Sequence, residues 1–481
     1  MTTPYVISII GGYFGLLFLV SIFTSRTSDA ATFFIANRKA PWPLVAYGMV
    51  GVGISGITFI SVPGQVGQNQ FSYFQLVIGY VIGLAIVALV LLPVFYKIKA
   101  VSIYSFLKER YGNYSHKTGA ILFLIAQLVT AAFKMYLMAH VLQLVLFDQL
   151  GLPFEITVLF TLLLIWLYTF RGGIKTVIIT DVLQTTFLIA AVLISLWAIS
   201  DRMDLSLSEM YMEMDVSGLS KTFYWSWDSP HNFIKLILTG TLLTVMNNGL
   251  DQSIMQKHLT CATLRDSQKN IFTLAVVLLV VNILFLFLGG ALHLFSVAEN
   301  IGIPERTDSL YPLLAVEHLG LLAGTVFIIG LAAAAYSSAD SSLTGLTTSF
   351  CVDVMDFEIT AKNSNRQRNL IHLAFTLMIY FIILLFDKVN NESVLYAFLR
   401  ASGFIYGPLV GLFAFGIFSK RTVPDRWVVL LAVMAPLSAY IIDTYSPVWF
   451  GYKFGYDILL VNGAIALGGL FLLSYLKKNK S

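Results

Sequence analysis

Apolar residues in this chain neither alternate nor form one helical stripe. They come in long blocks that are hydrophobic all round. A bilayer core about 30 Å thick is crossed by a helix of roughly 20 mainly apolar residues. Thirteen stretches meet that description: residues 5–23, 43–62, 71–96, 119–147, 154–170, 176–200, 232–252, 271–298, 319–351, 369–387, 394–418, 426–443 and 456–476. The longest charge-free run, Pro41 to Tyr96, is interrupted only by Pro63–Gln70, whose turn chemistry predicts a loop. The pattern predicts an all-α polytopic membrane protein with about 13 transmembrane helices. The first block lacks the basic start of a signal peptide, since no Lys or Arg precedes Arg26, and is read as an ordinary span.

Composition narrows the classes further. Of 481 residues, 57% are hydrophobic and 12% charged, about half the charge of soluble domains. That excludes a string of soluble domains and intrinsic disorder. Two cysteines exclude a disulfide framework or a Cys-based zinc module, and a net charge of +4 implies no nucleic-acid partner. The expected partners are a small-molecule substrate and membrane lipid, and the chain is expected to function as a monomer.

Basic residues orient the spans. With the N-terminus outside, 22 of the 30 Lys and Arg fall in inner loops, including Lys257, and 6 in outer loops. Lys134 and Arg400 remain within spans. The chain is therefore expected in the cell inner (plasma) membrane, N-terminus outside and C-terminus cytoplasmic. Segment 201–231 is then an outer loop, read equally as a lid or as a solvated loop.

Spans two to six and seven to eleven form two groups of five with opposite topology. The expected organisation is 1–42 (an extra helix and loop), 43–200 (first repeat), 201–231 (outer loop), 232–418 (second repeat) and 419–481 (two further helices and a tail). Inverted repeats are a common plan of secondary transporters, with sites where helices break at mid-membrane. The first helix of each group loses helix-forming residues in mid-span, at Gly51–Gly56 and at Asn247–Asp251. Glycine costs a helix about 1 kcal/mol relative to alanine, and Asn prefers caps and turns. For Gly79/Gly83 and Gly403/Gly407 the preferred reading is close helix packing.

Charge inside a span costs at least about 2.5–3.5 kcal/mol, so each such residue is a candidate site. Lys134, Asp181, Asp251 and Asp340 qualify. For Lys134, an internal ion pair and a substrate contact are equally open; Arg400 is expected to snorkel outward. Around Asp340, Ala334, Ser337, Ser338 and Ser341 share one helix face. Hydroxyls beside a carboxylate suit a small hard cation, here sodium. The alternative, serine–backbone bonding, explains the serines but not the aspartate. No metal other than sodium is expected.

With these residues the chain resembles the sodium/solute symporter family, nearest in motifs to bacterial sialic-acid and sugar carriers. The likeness runs through Ile54-Ser55-Gly56-Ile57-Thr58-Phe59, Gly172-Gly173 with Thr180-Asp181 and Gln184, Asp251-Gln252 with Gln256-Lys257, the serine helix, and Tyr406-Gly407-Pro408. The resemblance implies a LeuT-like five-plus-five inverted repeat. It implies a sodium site at the carbonyls of Gly51, Ile54 and Ala334 with the hydroxyls of Ser337 and Ser338. It implies a possible second cation site at Asp181, Ser337, Asp340 and Ser341, where Asp340 departs from the usual serine. Substrate positions carried over are Ser55, Thr58, Phe71, Gln75, Lys134, Asn248, Asp251 and Gln252.

The expected function is sodium-coupled import of a small polar organic solute by alternating access: a sugar, a sugar acid such as sialic acid, or another small organic acid. Na+ is the coupling ion. The competing reading is a transporter-like solute sensor. An intramembrane enzyme needs a paired His/carboxylate or Ser/Lys set, which the spans do not offer, so no catalytic residue is assigned.

Overall fold

The computed structural model describes residues 3–24, 40–98, 102–169, 174–356, 364–389, 394–454 and 457–478. Arg26, Arg38, Lys39, Lys99, Arg171, Gly172, Gly173 and Lys362 lie outside them. Among the described residues there is no strand, only one bridge between Ala40 and Cys261. Without water to satisfy it, backbone within a bilayer must bond to itself, and helices do so locally.

The helices are α1 (Thr3–Thr24), α2 (Trp42–Gly53), α3 (Gly56–Gly64), α4 (Tyr73–Ile86, continued to Lys97), α5 (Asn113–Leu142), α6 (Phe154–Thr169), α7 (Ile174–Met203), α8 (Phe233–Thr244), α9 (Gln252–His258), α10 (Leu264–Ala298), α11 (Leu321–Ser349), α12 (Ser364–Val389), α13 (Val394–Phe418), α14 (Asp425–Phe450) and α15 (Ile458–Lys478). Eleven described helices are long and apolar enough to cross a membrane. The pair α2/α3, bent by 54°, adds a twelfth. The expected span at 154–170 is the 16-residue helix α6, at the short end for a crossing.

Helix α1 is built into the bundle. Its Phe14 ring meets Tyr336 of α11 edge-on at 4.7 Å, and its Tyr13 hydroxyl accepts from Gln184 of α7. Close helix pairs run along small residues, as expected. A Cβ on Gly79 would lie 2.4 Å from the Ile237 carbonyl oxygen, and one on Gly407 2.2 Å from Asn462. Those glycines set the contacts of α4 with α8 and of α13 with α15.

Three expectations change. Pro63–Gln70 is not an open loop. Pro63 lies inside α3, which runs on to Gly64, and Val66–Asn69 is one helical turn. The chain reverses only at Gln70, whose φ is 47°. Arg400 does not simply snorkel, because its guanidinium donates to Asp443 of α14 at 2.8 Å. Lys257 is not a loop residue: it lies in the last turn of α9 with 1% of its surface exposed.

Segment 201–231 is a largely exposed cap anchored to the bundle at a few points. Ser206 and Glu209 form a reciprocal capping box that starts the helix Leu207–Val216; of its three methionines, Met210 and Met214 are fully buried and Met212 faces outward. Beyond that helix, Lys221 O accepts from the Phe71 N–H at 3.1 Å, and the Tyr224 hydroxyl donates to Gln70.

Candidate functional site

Two helix breaks face each other in the core. The first lies between α2 and α3, where Ile54 (φ −96°, ψ 82°) and Ser55 (φ −67°, ψ 167°) are extended. Gly51 sits just before it because only a hydrogen fits there: a Cβ would stand 2.5 Å from Thr185 Oγ1. Its N–H donates to that hydroxyl at 2.9 Å, which ties α2 to α7. The second break follows α8. Val245–Leu250 widens into a π turn, Asp251 is extended, and α9 begins. Asp251 caps α9, with Oδ1 accepting from the Ser253 N–H at 2.8 Å and from the Ser253 hydroxyl at 2.5 Å.

A cavity of about 100 Å³ opens between the breaks. Of the expected substrate residues, Ser55, Thr58, Lys134, Asn248 and Asp251 line it. So does Asn247, the first residue of the second break, and so do Tyr73, Tyr80, Thr130 and Asn282, which sequence reading passed over because a single polar residue in an apolar helix carries no spacing signal. Among the described residues no ion pair within 4 Å holds Lys134; the internal carboxylate that attracts it is Asp251.

Phe71, Gln75 and Gln252 are not brought to the cavity. Gln75 lies under the cap: its amide donates to His231 O at 3.0 Å and accepts from the Tyr224 N–H at 3.2 Å. Phe71 sits beside it, bonded through its backbone to Lys221. Gln252 points the other way and accepts from the Ile103 N–H at 2.9 Å, while Tyr104 donates to the break carbonyl of Leu250 at 2.8 Å.

Behind the first break runs the serine face of α11. Ser338 donates to the Val52 carbonyl at 3.5 Å, reaching the last turn of α2, where carbonyls have no further helix to bond. Ser337 donates to Asp181 Oδ1 at 2.6 Å. Its oxygen keeps two lone pairs for another group. Gly51, Ile54, Ala334, Ser337 and Ser338 are all buried around this point. Carbonyl and hydroxyl oxygens are the donor set a hard monovalent cation needs.

The candidate second cation position already holds a positive charge. Lys257 Nζ lies 2.6 Å from Asp181 Oδ2 and 2.7 Å from Ser341 Oγ, and Ser341 also donates to Asp340 at 3.0 Å. Nothing in the residue pattern marks this, since a Lys near the end of a span reads as a loop charge.

The sodium:solute symporter family model matches residues 33–424. The chain belongs to this family. Among relatives of this symporter, the sodium/sialic acid symporter SiaT of Proteus mirabilis is 25% identical over 90% of this chain and 88% of its own. The sodium/sialic acid symporter NanT of Aliivibrio fischeri is 26% identical over 89% and 85%. Human sodium-coupled monocarboxylate transporter 1 is 25% identical over 80% of this chain and 64% of its own. A solved Na+-coupled sialic acid symporter, substrate-bound and outward-open, superposes with a TM-score of 0.83 at 21% identity, covering 98% of both chains. The nucleobase-cation symporter Mhp1 gives 0.57 at 12% identity. The symporter has the LeuT-like five-plus-five fold, with the two breaks in its core. It is a multi-pass membrane protein that couples sodium to transport of a small organic solute, and it is not an enzyme.

Proposed function

We propose that the cavity between the two breaks takes a small polar solute bearing a carboxylate, such as a sugar acid or another small organic acid. Lys134 meets the carboxylate, and Ser55, Thr58, Asn248 and Asp251 contact the rest. Sodium binds at the carbonyls of Gly51, Ile54 and Ala334 and the hydroxyls of Ser337 and Ser338. The observation that carries this reading is the Ser338 hydroxyl reaching the Val52 carbonyl, because it joins the serine helix to the first break beside the cavity wall. A cation between them holds the break in one shape, and with it one wall of the solute cavity. Since Lys257 already neutralises Asp181, the reading keeps one sodium and leaves Asp181, Asp340 and Ser341 without a second.

The two repeats occupy 43–200 and 232–418. The basic loops put the C-terminus and the Ser102–Arg110 segment in the cytoplasm and the cap outside, with the chain a monomer in the plasma membrane. Sodium entering from outside at 100 mV contributes about 2.3 kcal/mol, in addition to its concentration gradient. A ligand shifts alternating access only through its different affinity for the two states, so sodium favours the outward-open one.

The test is thermal unfolding of the purified protein in sodium against equimolar potassium. Sodium should raise the midpoint by mass action, and Ser338→Ala should remove the difference. Equal midpoints in both salts for the unmodified protein reject the assignment.

A further inference from the structure

The cavity carries one charge of each sign, and the two attract each other without touching. Lys134 and Asp251 both line it, yet no ion pair within 4 Å joins them. Lys134 makes no hydrogen bond or ion pair with any described residue. Asp251 uses Oδ1 to cap α9, and its Oδ2 has no donor. A charge drawn out of water needs a partner, so each of these groups is costly to close over unless the occupant supplies the opposite one.

The charges around the cavity lead to the same occupant. Asp181 is matched by Lys257. Asp340 is fully buried on the serine helix, where the Ser341 hydroxyl donates to it. Lys134 and Asp251 remain for the solute. An anion satisfies Lys134 and leaves Asp251 stranded, a cation does the reverse, and an uncharged sugar neutralises neither. A solute that is neutral overall but carries both charges satisfies both.

Resting on the reading that this cavity is the solute site, we propose that the transported solute is a zwitterion: its carboxylate lies against Lys134 and its cationic nitrogen against Asp251 Oδ2. The amides of Asn247, Asn248 and Asn282 and the hydroxyls of Tyr73 and Tyr80 then serve polar groups between the two ends. The apolar wall of Val52, Leu84 and Leu278 takes a short carbon skeleton.

The full chain in detergent is screened by thermal shift in sodium and in potassium against L-proline, β-alanine, glycine betaine, N-acetylneuraminate, L-lactate, glucose and choline. The expected result is stabilisation by at least one of the three zwitterions, larger in sodium, with smaller or no shifts from the other four. Asp251→Asn keeps an oxygen for the α9 cap but removes the charge, and should weaken the zwitterion about tenfold or more. Lys134→Met should do the same from the carboxylate end. A sodium-dependent shift from N-acetylneuraminate, lactate or glucose that exceeds every zwitterion overturns the proposal and leaves sodium symport standing. So does a screen in which no zwitterion shifts. A zwitterion shift indifferent to sodium supports the solute class while counting against the sodium assignment.

Discussion

An ammonium 2.6 Å from Asp181 and 2.7 Å from Ser341, with side chains 2% and 1% exposed, is a costly arrangement to break. Removing one member of a buried pair strands the other charge, typically at about 3–5 kcal/mol, whereas removing both is often nearly neutral. Lys257→Met should therefore lower stability by about 3 kcal/mol. Lys257→Met combined with Asp181→Asn should recover most of that loss, which a double-mutant cycle in chemical denaturant measures. If the double variant is as unstable as the single variants added together, the pair is not coupled. Asp181 was recognisable as a site candidate from the cost of an intramembrane charge. Lys257 was not, because its position near the end of α9 resembles a loop residue, and only the fold of α9 back into the bundle brings it to Asp181.

At the scale of elements, the cap is the part whose sequence left two readings open. The structure resolves them through backbone bonds: Lys221, Tyr224 and His231 supply main-chain groups to Phe71 and Gln75, which a solvated loop does not do. His231 lies just before α8, with Ser72 Oγ 3.5 Å from its Nδ1 and the Tyr224 ring 5.9 Å away. Its burial lowers its pKa below the ordinary value of 6.5. The undocked segment therefore binds a proton more readily than the docked one. Docking is fully supported above about pH 6.5 and weakens as pH falls through the lower docked-state pKa. Amide exchange over 221–232 should accelerate between pH 7 and pH 5 beyond its intrinsic pH dependence, and His231→Gln should flatten that response. The same contacts explain why Phe71 and Gln75 leave the substrate set. Their spacing matched the carriers' pattern, but spacing does not reveal that another segment already fills their hydrogen bonds.

For the whole molecule, the basic residues predict which side of the membrane each loop faces. With Cys261 and Cys351 replaced by serine, Asp228→Cys in the cap should react with an impermeant maleimide on intact cells. Lys420→Cys, between α13 and α14, should react only after permeabilisation. The opposite labelling would invert the orientation. Taking Lys257 out of the inner-loop tally leaves the bias strong, so this expectation does not depend on it. The approximate number of spans, the two helix breaks and the intramembrane charges other than Lys257 were legible in the chain. Each is a one-dimensional consequence of the bilayer: about 20 apolar residues per crossing, a high cost for every charge, and weak helix where Gly and Asn cluster. Which groups meet was not legible. Lys257 with Asp181, Gln75 with the cap, Gln252 with Ile103, and Lys134 and Asp251 left to share one cavity all depend on how each helix is rotated and how far each break unwinds. Packing between distant segments decides that, and no local pattern of residues encodes it.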